Sequence, residues 1–74
     1  MWKKGTVRVN ENTYDYEMKV YGEPSCFGIE NGKISKMRLT LNGETVCHFD
    51  RWWGIVPTTE EAKLALEMLI KEYN

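Results

Sequence analysis

Apolar and polar positions alternate with period two through most of this chain, then recur every three to four residues near its end. Over residues 5–10, Val7 and Val9 share one side of a short strand, and Asn10-Glu11-Asn12-Thr13 follows as turn chemistry. Over residues 14–21, Tyr14, Tyr16, Met18 and Val20 fall on one face, with Asp15, Glu17, Lys19 and Tyr21 on the other. That is the pattern of a half-buried strand. An even loop at Glu11-Asn12 pairs Val9 with Tyr14 and Val7 with Tyr16, which keeps the apolar sides together. Gly22-Glu23-Pro24-Ser25 ends the run, because proline lacks a donor and restrains the residue before it. A short strand at 26–29, a turn at Glu30-Asn31-Gly32, a longer strand at 33–41, a turn at Asn42-Gly43 and a strand at 44–50 complete the extended part.

Parity decides how these last strands pair. Asn-Gly favours a two-residue turn, but such a loop would set Met37 opposite His48 and Phe49 opposite Lys36. A three-residue loop with a glycine bulge keeps Leu39 with Thr45 and Met37 with Cys47, and leaves Phe49 further along the same face. The same device at Glu30-Asn31-Gly32 sets Phe27 and Ile29 beside Met37 and Leu39. Bulged turns are therefore expected at both places. Cys47 then faces the core and Cys26 faces away, so no disulfide joins them.

Thr58-Thr59-Glu60-Glu61 reads as a capping box, with Thr58 as N-cap and Glu61 three residues on. Glu60 and Glu61 suit the positive end of the helix dipole, and Lys71 suits the other. Ala62, Ala65, Leu66, Leu69 and Tyr73 fall at helical spacing over about 59–73, with Ile70 on the flank. A helix of that length spans roughly 22 Å, enough to cross several strands. The expected fold is α+β: one domain over residues 1–74, an antiparallel sheet of four to five strands with a single C-terminal helix on one face.

Composition narrows the function more than it names it. The 74 residues carry 10 basic and 11 acidic side chains, net charge −1, so the basic excess usual in a sequence-blind nucleic-acid binder is absent. The opening Met1-Trp2-Lys3-Lys4-Gly5 leads into Thr6-Val7-Arg8-Val9 rather than an apolar signal region, and no run is long enough to span a bilayer. A cytoplasmic setting with both thiols free, and no membrane association, is expected. One histidine and two cysteines 21 positions apart do not make a zinc site, and no cofactor motif is present.

Residues 25–74 contain Gly32-Lys33-Ile34-Ser35-Lys36-Met37, Phe49-Asp50-Arg51-x-Trp53, Pro57-Thr58-Thr59-x-Glu61-Ala62-x-x-Ala65-Leu66 and Leu69-Ile70-x-x-Tyr73. In these segments the chain resembles a family of small uncharacterised proteins from Gram-positive bacteria, their phages and other mobile elements. Trp52 stands where that pattern has glycine, and Gly54 where it commonly has a polar residue. The resemblance implies a mobile-element setting and brings no activity with it.

Within that frame the candidate site residues are Trp52, Arg51, Leu64 and Met68. Adjacent strand residues point to opposite faces, so Trp53 is expected to pack beneath the helix start and Trp52 to stand exposed as an anchor for a protein partner. The alternative is that both indoles pack and close the end of a small core. Leu64 and Met68 lie i, i+4 on the helix, away from its core stripe, and suit a partner or a homodimer unless the Trp2 arm or a curled sheet edge covers them. Inhibition of a host defence or regulatory protein is the sharper form of the docking reading. The runner-up is a nucleic-acid face around Lys36, Arg38 and His48, although acids are interleaved there. A self-associating structural protein is the third. Cys26, His48 and Asp50 share a face in this register, but about 9–10 Å between thiol and imidazole is too far for activation, so no catalysis is expected.

Overall fold

The computed structural model describes residues 1–74. Five strands, β1 (Trp2–Val9), β2 (Asn12–Val20), β3 (Ile34–Leu41), β4 (Glu44–Asp50) and β5 (Trp53–Ile55), precede one helix, α1 (Glu60–Tyr73). The strands form an open antiparallel sheet in the order β1-β2-β3-β4-β5. The helix packs over β1 and β3 on one face, an α+β arrangement. Between the layers lie Tyr14, Met18, Met37, Leu39, Cys47 and Phe49 from the sheet, and Ala62, Ala65, Leu66 and Leu69 from the helix.

Parity holds throughout, but the devices that keep it are not those the sequence suggested. In the first hairpin the turn is Asn10-Glu11, so Val7 pairs with Tyr14 and Val9 with Asn12, two positions from the expected partners. Asn10 takes φ +56°, a region that asparagine tolerates better than most residues, and this fixes the turn one position early. The strand also begins at Trp2 rather than residue 5. At Asn42-Gly43 the turn has two residues, with φ +53° and +82°, and pairs Leu41 with Glu44 and Thr40 with Thr45. The expected three-residue loop is thus wrong. Parity is restored inside the strand, where Val46 is the extra residue between the Thr40–Thr45 and Leu39–Cys47 pairs.

Residues 26–29 are not a strand. Cys26 and Phe27 lie in a turn, and Ile29–Asn31 forms a single 3-10 turn in which Glu30 and Asn31 take φ +52° and +59°. The connection is closed on itself by Ser25 N–H to Gly32 O (3.0 Å) and Gly28 N–H to Ser25 O (3.0 Å). Only Ile29 of the expected pair enters the core, while Phe27 is exposed. The step from this connection into β3 needs a second bulge. Val20 pairs with Ile34 and Lys19 with Lys36, leaving Ser35 as the extra residue, buried with its hydroxyl donating to Lys19 O at 3.4 Å. Ile34 and Met37 can both face the core, three positions apart, because of that bulge.

The helix starts one residue later than the capping box implied. Thr59, not Thr58, is the N-cap, its hydroxyl accepting the Ala62 N–H at 3.1 Å. Glu61 is thereby released to reach the first hairpin, where its carboxylate accepts from Asn12 Nδ2 (2.6 Å), Asn10 Nδ2 (3.0 Å) and the Tyr14 hydroxyl (3.3 Å). Those amide donors hold the Glu61 carboxyl below its ordinary value. Burial, then the Glu61 charge, pushes the Tyr14 phenol up, so it remains a donor. At the other end of α1, Asn74 donates from Nδ2 to Ile29 O (2.9 Å) and accepts the Ile34 N–H on Oδ1 (3.0 Å). One side chain at each end of the helix therefore ties it to the sheet layer.

Candidate functional site

The face of the sheet that α1 leaves open carries the polar half of the strand pattern. Register sets Lys4, Glu17, Arg38 and His48 in one row across four strands, and Trp2, Lys19, Lys36 and Asp50 in the next. Lys4 Nζ is 3.3 Å from Glu17 and Lys36 Nζ 3.8 Å from Asp50. Both pairs are well exposed, so each contributes about 0–1 kcal/mol to folding. Between the rows lies a shallow depression of about 170 Å³, lined by Trp2, Glu17, Lys36, Arg38, His48 and Asp50. Lys36, Arg38 and His48 are therefore brought together. Trp2 joins them, and the sequence reading missed it: once the strand is extended to residue 2, its parity with Lys4 puts the indole on this face.

All five strands meet one end of the sheet where β1 and β5 begin, and most of the exposed aromatic surface collects there. β4 stops at Asp50, Arg51 takes φ +65°, and Asp50 N–H donates to Trp52 O at 3.0 Å, which turns the chain straight back into β5. This tight turn throws the Trp52 side chain outward, 78% exposed. Trp53 is not the buried member of the pair. It lies on the edge strand, 42% exposed, with its ring edge-on to Phe49 at 4.9 Å between centroids. The reversal after Arg51 takes it away from the helix start that a continuous strand would have reached. Opposite His48, β5 carries a bulge at Gly54, and a Cβ there would stand 2.9 Å from the imidazole Nδ1.

Beside the β4–β5 turn, the Arg51 guanidinium lies 6.0 Å from the Phe27 ring centroid, and Lys19 Nζ lies 5.4 Å from that of Tyr21. Phe27 and Tyr21 are both exposed. Together with Ser25, Ser35 and Lys36, these four residues line a second cavity of about 140 Å³. The Ser35 hydroxyl, then the Lys19 charge, holds the Tyr21 phenol below its ordinary value, with Arg51 adding to the effect.

Leu64 and Met68 are exposed on the outer face of α1. The helix lies on the opposite side of the sheet from the open face, so the four expected docking residues fall into two groups. Arg51 and Trp52 share a turn, and Leu64 with Met68 forms a separate strip. The Trp2 strand does not cover that strip, since Trp2 lies on the other face.

The expected grouping of Cys26 with His48 and Asp50 is undone by the loss of the 26–29 strand, which leaves Cys26 in the exposed connection. Cys47 is a core residue, and burial pushes its thiol up to about 11. No three His, Cys, Asp or Glu side chains are grouped to hold a metal ion, and no helix is long and apolar enough to cross a membrane.

Against known families, residues 1–74 match the model described as Domain of unknown function (DUF7678), and the chain belongs to that family. The match takes in the first hairpin as well as the C-terminal segments that carried the resemblance. No curated protein and no solved structure matches the chain.

Proposed function

We propose that this member of a family without an assigned activity is a small non-catalytic docking protein, which engages a protein partner through the β4–β5 turn. Trp52 is the anchor, with Arg51 and Phe27 beside it. The observation that carries this reading is the 78% exposure of Trp52 at a turn whose backbone is held by the Asp50–Trp52 hydrogen bond. Covering a large apolar side chain is worth about 1.5–3 kcal/mol, and here the fold leaves that gain unclaimed. Exposed Trp with adjacent Arg is also the composition found at the energetic centres of protein interfaces. A cytoplasmic setting and a phage or mobile-element origin accompany the reading, and inhibition of a host defence or regulatory protein is its sharper form. The strip at Leu64 and Met68 serves a second contact or a homodimer.

The test is capture by tagged protein from nuclease-treated lysate, with Trp52→Ala and Leu64→Ala run in parallel. A protein retained after nuclease and by Leu64→Ala, but lost with Trp52→Ala, supports docking at the turn. Equal capture by Trp52→Ala overturns it. The presence of Trp2 beside Lys36, Arg38 and His48 favours a second reading, single-stranded nucleic acid on the open face. Binding of that kind weakens steeply with salt and with Arg38→Glu, whereas an apolar anchor holds. Self-association through the helix predicts a concentration-dependent mass that Met68→Lys abolishes.

A further inference from the structure

We infer that the cavity beside the β4–β5 turn is a binding site for a phosphoryl anion, with Lys19, Lys36 and Arg51 supplying the charge. Its lining consists of these three cations, the Ser25, Ser35 and Tyr21 hydroxyls and the Phe27 ring, and it includes no carboxylate. That is an uneven distribution for a chain with 11 acidic and 10 basic side chains. Asp50 is the acid close at hand, and at 3.8 Å from Lys36 it offsets one of the three cations. The remaining charges repel across a small cavity, and an anion between them relieves the repulsion.

The donors are arranged for such a ligand. The Ser25 hydroxyl already accepts the Phe27 N–H at 3.1 Å, so its own hydrogen is free to be given to an oxyanion. Ser35 has the opposite duty: its hydrogen goes to Lys19 O at 3.4 Å and fixes the backbone from which Lys19 and Lys36 project. Three cations and a neutral hydroxyl donor suit the two charges and three free oxygens of a phosphate monoester better than the single charge of a carboxylate. The Tyr21 phenol at the cavity is lowered first by the Ser35 hydroxyl and then by the Lys19 charge, with Arg51 adding a little. Tyr21 and Phe27 present exposed rings at the rim. A nucleoside monophosphate can stack its base there while its phosphate occupies the cavity, which inorganic phosphate cannot do.

This site goes beyond the docking reading and does not rest on it, since its test uses the purified protein and small anions. Amide resonances are followed by NMR during titration with inorganic phosphate, a nucleoside 5′-monophosphate and acetate at constant ionic strength. Saturable shifts confined to residues around Lys19, Ser25, Lys36 and Arg51 are expected with phosphate, and weaker ones or none with acetate. Affinity should fall about tenfold or more in Lys19→Gln and in Arg51→Gly, and stay unchanged in Lys4→Gln, which lies outside the cavity. Arg51→Gly also serves as the folding control, because glycine accepts φ +65° without penalty. Tighter binding of the nucleotide identifies the nucleotide as the source of the phosphate, and equal binding identifies phosphate alone. Shifts that acetate reproduces, that do not saturate, or that persist undiminished in Arg51→Gly overturn the proposal.

Discussion

Asn74 makes more tertiary hydrogen bonds through its side chain than its position at the end of α1 would suggest, and replacing it measures how the connection is held. Its amide accepts the Ile34 N–H at 3.0 Å and donates to Ile29 O at 2.9 Å, while its backbone N–H donates to Ile70 O at 2.9 Å. Ile29 and Ile34 are essentially buried; Asn74→Ala strands the Ile34 N–H away from water, while Ile29 O keeps the Gly32 N–H at 2.9 Å. A stranded donor costs about 1–3 kcal/mol, and the variant should lose about that much. For a chain this short the whole stability is about 4–11 kcal/mol, so the loss is a large fraction of it. At about 4–8 °C per kcal/mol, the melting temperature followed by far-UV circular dichroism should fall by roughly 4–24 °C. Asn74→Asp retains the acceptor and loses the donor, and should fall in between. The α-carbon of Gly32 sits against the same amide, and a Cβ there would occupy its place. Gly32→Ala should therefore destabilise the parent protein and do less harm in the Asn74→Ala background. A melt of Asn74→Ala within about 3 °C of the parent, or additive effects of the two changes, would refute the argument.

Acid should remove the clamp at the other end of the helix. Because Asn10 and Asn12 hold Glu61 below its ordinary value of 4.5, its contribution is complete above that pH and is lost as pH falls through the depressed folded value. Melting temperature against pH should fall less steeply in this range for Glu61→Gln, and an identical slope would sink the assignment. Native protein treated with iodoacetamide should be alkylated promptly at Cys26, while Cys47, buried and with its thiol at about 11, reacts on the timescale of unfolding. Mass spectrometry reads both sites, and equal rates would count against the core placement. Trp52→Ala should leave unfolding by urea within about 0.5 kcal/mol of the parent, because nothing in the fold covers the indole. A larger loss would mean that Trp52 packs and is no free anchor.

Strand faces could be read from residue types because a single buried face forces period two: Tyr14, Met18, Met37, Leu39, Cys47 and Phe49 all point inward as their alternation implies. Where a strand takes its extra residue could not be read. A bulge in a loop and a bulge inside a strand preserve the same parity, and local sequence does not distinguish Gly43 from Val46 as the place to absorb it. The same holds at Ser35, where Ile34 and Met37 share a face at a spacing of three that neither strand nor turn rules anticipate. The helix was legible from its spacing, but Thr58 and Thr59 are equivalent as caps until Glu61 is seen bound to the first hairpin. Of the candidate site, Trp52 is exposed as expected, but because the chain reverses at Arg51 and not because neighbours alternate along a strand, and Trp53 is exposed as well. Arg51 reverses the chain with a positive φ that nothing in the type of residue 51 announces.

The two ends of the sheet differ in how they achieve their turns, and the end where binding is proposed is the one with costly backbone. At one end the left-handed positions are Asn10, Asn42 and Gly43, residues that adopt such backbone at little cost. At the other they are Glu30, Asn31 and Arg51. For Glu and Arg the left-handed region costs roughly 1–2 kcal/mol each, a sizeable sum in a domain of this length. A glycine at position 51 would relieve that strain and leave the turn intact, yet arginine is there, between the exposed Phe27 and Trp52 and at the wall of the cationic cavity. Strain, exposed aromatic surface and unopposed charge thus coincide at one end, while the other end is closed by ordinary turn residues and the Glu61 clamp. Arg51 touches the Phe27 ring and the cavity wall and precedes the Trp52 proposed above as an anchor, so its strained backbone motivates the binding proposals at this end.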